Sequence, residues 1–482
     1  MKVLAVTGRL AQDLVRHSAC GADVLVLDLD IAAFITPEML VSSAPEGYDL
    51  ILIPGAITAD FTKAEKALNT KIRLGPKHAA DLSFVLRHLD EIELSQTLPA
   101  CVLFEERMKR EARLALQQLE SEATQKLMIK GVKIGGVSRM KVLAEIVDAT
   151  KLSCDGLVKR IRYCEDQGAD MIDLGLPLDA EPLEAAEAVK IARSATDLPI
   201  SIDAVRFDLI LAGVEAGADL ILSLNDENLP LVGDAVAEAG TAAVVIPGPG
   251  RISLEENLQA AQTLGISCIA DPVLSPPLQG LAESLQGYIR FKKDHPDMPL
   301  FFGAGNVTEL LDADSQGANA ILAALGAEVG ASILFTPEYS PKARGSIREL
   351  KTAADMMQLA ARRMTPPKDL GIDLLVLKEK RRRFQEKMPD DVVEASGFHE
   401  FKPDPKGSFR IFIADGLIVA EHSKARVAGA KARDILNTLI DRGLISRLDH
   451  AGYLGRELEK AEIALALGIS FVQDEPLRPE KR

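Results

Sequence analysis

Through the middle of the chain, an apolar run of strand length followed by a helically patterned segment occurs eight times. The runs are Val142–Val147, Met171–Leu176, Pro199–Ala204, Leu220–Leu224, Ala242–Ile246, Cys268–Val273, Leu300–Phe302 and Ala331–Phe335. Eight strand–helix units over about 230 residues match a closed (β/α)8 TIM barrel in count and in length. Gly168, Gly217, Gly265 and Gly330 stand just before the second, fourth, sixth and eighth runs, where a helix closing on a left-handed residue is expected.

The predicted barrel, residues 129–376, is flanked on both sides. Residues 1–128 alternate buried strands ("KVLAVTG", "DVLVLDL", "DLILIPG") with helical crossovers, the pattern of a Rossmann- or flavodoxin-like parallel α/β domain. The glycine-rich dinucleotide turn is missing, since "VTGRLAQ" has one glycine where GxGxxG has three. "IPGAIT", Ile53–Thr58, is a tight turn or an anion cradle, and Phe104–Met128 reads as a charged linker or covering helix. Residues 377–482 open with a charged linker, Leu377–Asp391. They continue as a small α/β domain: a hairpin around Asp415-Gly416, an amphipathic helix closed by Gly468, then a strand. Tyr453, Arg456 and Glu457 on that helix face a ligand, a partner chain or solvent.

A barrel of this kind carries its active site at the carboxyl ends of its strands. In order, those ends present Asp148, Asp173, Asp203, Asn225, the turn Pro247–Arg251, Asp271, Asn306 and Glu338. Any one of them could be a helix N-cap, but a ring of them converging on one mouth is harder to explain that way. No histidine cluster or serine or cysteine nucleophile arrangement accompanies the ring. Carboxylates and amides alone suit a flat heterocycle with adjacent N–H donors and a carbonyl, such as a pterin or guanine-like edge. Metal binding by the same acids is the rival reading, although hard-ion sites usually gather their ligands locally.

Charge and cysteine usage narrow the class further. A formal charge of −15 and a pI near 5.1 argue against a general nucleic-acid binder, because most of the surface would repel phosphates. The five cysteines form no CxxC and no Cys/His cluster, so neither a zinc site nor a disulfide framework is indicated. "MKVLAVTGRL" reads as a first strand and not as a signal segment, and no apolar run approaches the ~18 residues that span a bilayer. The expectation is a soluble cytoplasmic protein, with a homodimer as the default assembly.

The segments "VLAEIVDATKLSCDGLVKRIRYCEDQGADMIDLGLP", "LPISIDAVRFDLILAGVEAGADLILSLNDEN", "CIADPVLSPP" and "GAGNVTEL" together resemble the pterin-binding family, which includes dihydropteroate synthases and pterin-dependent methyltransferases. The resemblance implies pterin contacts from Asp173, Asp203, Asn225, Asp271 and Asn306, with Asp148, Asp203 and Asn306 nearest the chemistry. Asp148 stands where the synthases keep an asparagine that meets diphosphate and Mg2+, so it is the metal position implied. The loop "LPLDAEP" lacks the synthases' Thr-Arg pair, and no Arg-x-His follows the last strand. Instead "TPEYSPKARGSIREL" offers Ser340, Lys342, Arg344 and Ser346, the last as N-cap, at the barrel's usual phosphate position.

The whole chain resembles the dihydropteroate synthase-like proteins of tetrahydromethanopterin pathways, through "GAGNVTELLDADSQGANAILAALGAEVGASILFTPEYSPKARGS" and "PPKDLGIDLLVLKEKR". This implies a transferase that joins 6-hydroxymethyl-7,8-dihydropterin diphosphate to an arylamine, a ribofuranosylaminobenzene phosphate, with loss of diphosphate. A methyltransferase with a corrinoid or thiol acceptor and a non-catalytic pterin-binding protein are the alternatives. Phe301, Phe302, Phe335 and Arg251 are the candidates to stack on the ring.

Overall fold

The structure, a computed structural model, describes residues 1–250, 252–368, 370–378, 392–395 and 402–477. The chain divides into two compact units, residues 1–386 and 387–482. The boundary expected at residues 128–129 therefore falls inside the first unit, and the linker expected at Leu377–Asp391 lies outside the described residues from 379 onward.

The first unit opens with four parallel strands, β1 (Val3–Thr7), β2 (Asp23–Val26), β3 (Leu50–Ile53) and β4 (Lys71–Leu74), in the order β2-β1-β3-β4. Their apolar faces make two cores, one around Leu40, Ile51 and Ile72 and one around Leu52, Val85 and Phe104. Strands covered on both faces read as continuous apolar runs, as the two central ones, β1 and β3, do. The turn after β3 is closed by its neighbour: Gly55 N–H donates to the Pro76 carbonyl at 3.0 Å, and a Cβ on Gly55 would strike the Gly75 and Pro76 backbone. It is a packed turn, with that N–H already committed.

A helix, Ala100–Glu122, then leads to a short antiparallel hairpin, β5 (Leu127–Ile129) and β6 (Val132–Ile134). The helix packs Ala112 against Leu359, Ala360 and Leu370. Near its end Glu120 accepts hydrogen bonds from Lys141 Nζ (2.7 Å), Ser138 Oγ (2.8 Å) and Arg139 N (3.1 Å). Lys141 is 3% exposed at its side chain, so this carboxylate compensates a buried charge.

Eight parallel strands close the barrel: β7 (Lys141–Ile146), β8 (Met171–Gly175), β9 (Ile200–Asp203), β10 (Leu220–Leu224), β11 (Ala242–Val245), β12 (Cys268–Ala270), β13 (Leu300–Phe302) and β14 (Ala331–Thr336), with β14 paired to β7. Gly168, Gly217, Gly265 and Gly330 all take positive φ, as expected. Residues alternate between two cores: Val142, Ala144 and Ile146 face the helices, whereas Leu143 faces the barrel axis with Met171, Leu222, Val244, Ile269, Phe301 and Ile333. The hairpin is the unforeseen element. Ile129 and Ile134 join the axial cluster and close the floor of the barrel. Among the described residues no helix is long and apolar enough to cross a membrane.

The second unit holds an antiparallel sheet, β15 (Arg410–Ala414), β16 (Leu417–His422) and β17 (Ala425–Gly429), covered by the helices Ala432–Asp441 and Leu448–Leu467. Asp415-Gly416 forms the expected hairpin turn and Gly468 ends the last helix in a left-handed conformation. Among the described residues no strand follows it. Instead the Gln473 amide accepts from Ile411 N at 2.8 Å and donates to Phe409 O at 3.2 Å, so one side chain satisfies backbone groups at the start of β15. Glu457 is buried, accepting from Asp474 N at 3.0 Å with Lys460 Nζ at 2.8 Å, so it braces this fold instead of facing a ligand.

Candidate functional site

The barrel's inward parity places its acids. On β7 the residue facing the axis after Leu143 is Glu145, which pairs across the ladder with Asp173 of β8, and Asp173 with Ser201 of β9. One layer nearer the mouth, Asp203 pairs with Gly175. A Cβ on Gly175 would fall on the Glu145 carboxylate; the missing side chain is what lets Glu145 extend toward Asp203. Glu145, Asp173 and Asp203 each bring a carboxylate oxygen to within 4.8 Å of the others.

The environment of these acids opposes ionisation. Asp173 is fully buried; one oxygen accepts from the Ser201 hydroxyl, and the other is buried with no partner. Burial, then the charges of Asp203 and Glu145, pushes the Asp173 carboxyl well above the usual range. Burial likewise raises Asp203 to about 6, and burial together with Asp203, Glu309 and Asp148 raises Glu145 to about 7. Among the described residues no lysine, arginine or histidine pairs with any of the three.

Asp271 stands at the end of β12. Its Oδ1 accepts from Val273 N (2.8 Å) and lies 2.7 Å from the Tyr288 hydroxyl, which is also 2.9 Å from the Phe301 carbonyl. Burial pushes Asp271 up to about 6 against the lowering effect of those two bonds. Tyr288, on the helix Leu281–Asp294, is fully buried and orients this acid. Among the described residues nothing hydrogen-bonds the other Asp271 oxygen.

The amides are placed differently. Asn306 opens the short helix Gly305–Thr308, and its Nδ2 donates to the Leu274 carbonyl at 2.8 Å, tying the loop after β13 to the loop after β12. Asn225 accepts with Oδ1 from Glu227 N (2.9 Å) and Asn228 N (3.3 Å), a turn-forming role that leaves only its Nδ2 for a ligand. Asp148 is not at the end of its strand. It lies two residues beyond β7 in a left-handed conformation, 3.4 Å from Lys151 Nζ, so the inward carboxylate of that strand is Glu145, which sequence reasoning missed. Counting by twos from Leu143 would have found it.

The expected phosphate residues are not gathered as a set. Gly345, not Ser346, caps the helix Ser346–Arg363, and buried Ser346 Oγ accepts from Asn319 Nδ2 at 3.0 Å. The amide of Ile347 at that helix start donates to the Glu338 carboxylate at 3.1 Å, while the Tyr163 hydroxyl donates to its other oxygen. Glu309 accepts from Tyr339 N (2.8 Å) and Ser340 N (3.1 Å), and Lys342 Nζ lies 2.7 Å from Asp312. Ser340 Oγ is buried without a partner, and Arg344 lies in the turn between. The chain's own carboxylates thus occupy amides that a phosphate would use. Of the aromatic candidates, Phe302 is buried on the helix side, whereas Phe301 and Phe335 face the axis with centroids 5.3 Å apart. Arg251 lies outside the described residues.

Residues 144–264, which include Glu145, Asp173, Asp203 and Asn225, match the family model described as pterin binding enzyme. Residues 403–474 match the model PterinBD-DUF4346. Uncharacterized protein MJ0107 of Methanocaldococcus jannaschii is 36% identical, over 98% of both chains. Two similar solved structures are dihydropteroate synthases. That of Yersinia pestis, with a pterine-sulfa conjugate, is 19% identical over 50% of this chain and 99% of its own, at a TM-score of 0.40. That of Vibrio fischeri is 20% identical over 50% and 100%, at 0.41.

Proposed function

From the premise that this chain belongs to one family with protein MJ0107 and carries a pterin-binding TIM barrel, we propose that it is a dihydropteroate synthase-like transferase of tetrahydromethanopterin biosynthesis. The substrates would be 6-hydroxymethyl-7,8-dihydropterin diphosphate and an arylamine, a ribofuranosylaminobenzene phosphate, in a cytoplasmic homodimer. The observation that carries the reading is Asp271: a buried acid fixed by Tyr288, with one oxygen left for the donor edge of a flat ring. Asp203 offers the mouth a second acceptor, and Asn306 and the free amide hydrogens of Asn225 a mixed edge.

In the proposed reaction the arylamine nitrogen attacks the pterin methylene carbon. The C–N bond forms as the C–O bond to diphosphate breaks, and the amine proton leaves to solvent or to a mouth carboxylate. The acids hold the ring and favour positive charge developing on the methylene-pterin. An arylamine is already nucleophilic, so no activated protein nucleophile is required.

Mg2+, the usual companion of a diphosphate, does not fit Asp148, whose carboxylate is paired with Lys151 at the rim. No step is derived through it. One observation favours the second reading, methyl transfer from a reduced pterin to a corrinoid or thiol: Glu338 and Glu309 fill the amides where a diphosphate or phosphate would sit. Calorimetric titration with the pterin diphosphate, then an assay for diphosphate release on adding the arylamine phosphate, separates the readings. Turnover supports the synthase. Binding without turnover refutes it in favour of methyl transfer or pterin binding alone, and absence of any pterin binding refutes all three.

A further inference from the structure

We propose that Glu145, Asp173 and Asp203 form a divalent-cation site inside the barrel, beneath the ring-binding mouth. Three carboxylates meet there without a basic partner among the described residues, and their nearest oxygens lie within 4.8 Å of one another. A cation with metal–oxygen bonds of roughly 2.0–2.6 Å joins oxygens up to about 4–5 Å apart, so this spacing suits Mg2+, Mn2+ or Ca2+.

The independent sign of a ligand is the second oxygen of Asp173. That residue is fully buried, its Oδ1 is engaged by Ser201, and its Oδ2 has no partner. A buried acceptor left unpaired is costly and rare. Asp173 lies one layer further from the mouth than Asp203, so an ion held beneath a ring on Asp203 is the ligand that would meet this oxygen. Gly175 adds construction: its absent side chain is the space that the Glu145 carboxylate occupies on its way to Asp203. The half-buried Asp203 can give one oxygen to the ion and keep the other for the mouth.

This site does not depend on the proposed reaction, and its ligands differ from the rim position Asp148. The test uses the full chain freed of metal with a chelator and titrated with Mn2+, read by electron paramagnetic resonance and by thermal shift. One tightly bound Mn2+ per chain is expected, with a raised melting temperature. Glu145→Gln and Asp173→Asn should each weaken Mn2+ at least about tenfold, while Asp148→Asn and the exposed Asp155→Asn should not. Removing a charge from the cluster relieves repulsion, so these variants should fold and, without metal, melt higher than wild type.

No stoichiometric Mn2+, or binding unaffected by Glu145→Gln, would overturn the inference and leave the three acids as proton-sharing groups. Calorimetry with pterin on the same metal-free protein separates the two ideas. Pterin bound with no ion sinks only the cation site, and ion bound with no pterin sinks only the functional reading.

Discussion

Asp271→Asn should make the unliganded protein more stable at alkaline pH while weakening its hold on pterin. Burial raises this carboxyl from an ordinary 3.8 to about 6. An acid whose folded pKa lies above its unfolded pKa binds its proton more readily when folded, so stability falls as pH rises between the two values. The penalty is absent below pH ~4, accumulates up to pH ~6 and is constant above. A rise of roughly 2 units corresponds to about 3 kcal/mol. Asparagine keeps the Oδ1 that accepts from Tyr288 and Val273 and carries no charge, so most of that penalty should vanish. Melting curves of the two proteins should coincide near pH 4 and separate by several degrees at pH 8, the variant higher. Replacing a charged acceptor by an amide should also weaken pterin by about 1.5–3 kcal/mol, or roughly 10- to 100-fold. A variant no more stable at pH 8, or a pH-independent difference, would refute the burial argument. Unchanged pterin affinity would place the ring elsewhere.

Asp203→Asn should likewise depress pterin affinity with circular dichroism unchanged; full affinity in calorimetry would remove Asp203 from the ring site. Gly175→Ala puts a methyl group where the Glu145 carboxylate lies, and should weaken Mn2+ binding more than it lowers the melting temperature. The opposite ranking would mean that Glu145 simply swings aside. Glu120→Ala strands the buried Lys141 ammonium and should destabilise the first unit by about 3 kcal/mol, seen as a lower denaturation midpoint; a neutral result would show that Lys141 finds water.

The barrel was legible because its signal is repeated: eight apolar runs of the right length leave few other folds, and the glycines before them mark helix ends. The site was only partly legible, for reasons that differ by residue. Asp173, Asp203 and Asp271 were read as axial acids because they follow the inward parity of their strands, Asp203 and Asp271 at the carboxyl end and Asp173 in the middle of β8. Glu145 was passed over because the strand was read one residue long, to Val147, and the next acid taken as its end, although Asp148 belongs to the following turn. Tyr288 gave no local signal beyond being a tyrosine on an amphipathic helix, whose hydroxyl must find a partner once buried. The hairpin Leu127–Ile134 is short, and its burial depends wholly on the strands it plugs. The phosphate expectation failed at Ser346 because a glycine in left-handed conformation outcompeted serine for the cap, and Glu338 lies far enough upstream that its bond to Ile347 is a tertiary fact.

The hairpin that closes the barrel floor also fixes an order of traffic. With Ile129 and Ile134 packed across the lower end, the described residues leave the axial acids facing the mouth, with Asp173 one layer below Asp203. If the proposed ion settles against Asp173 and a ring is held above it by Asp203, the ion would have to arrive before the ring and leave after it. On that proposal the barrel would load like a stack, last in and first out, so a slow-exchanging ion would set the pace for a chain stripped of it but not for one cycling through rings alone.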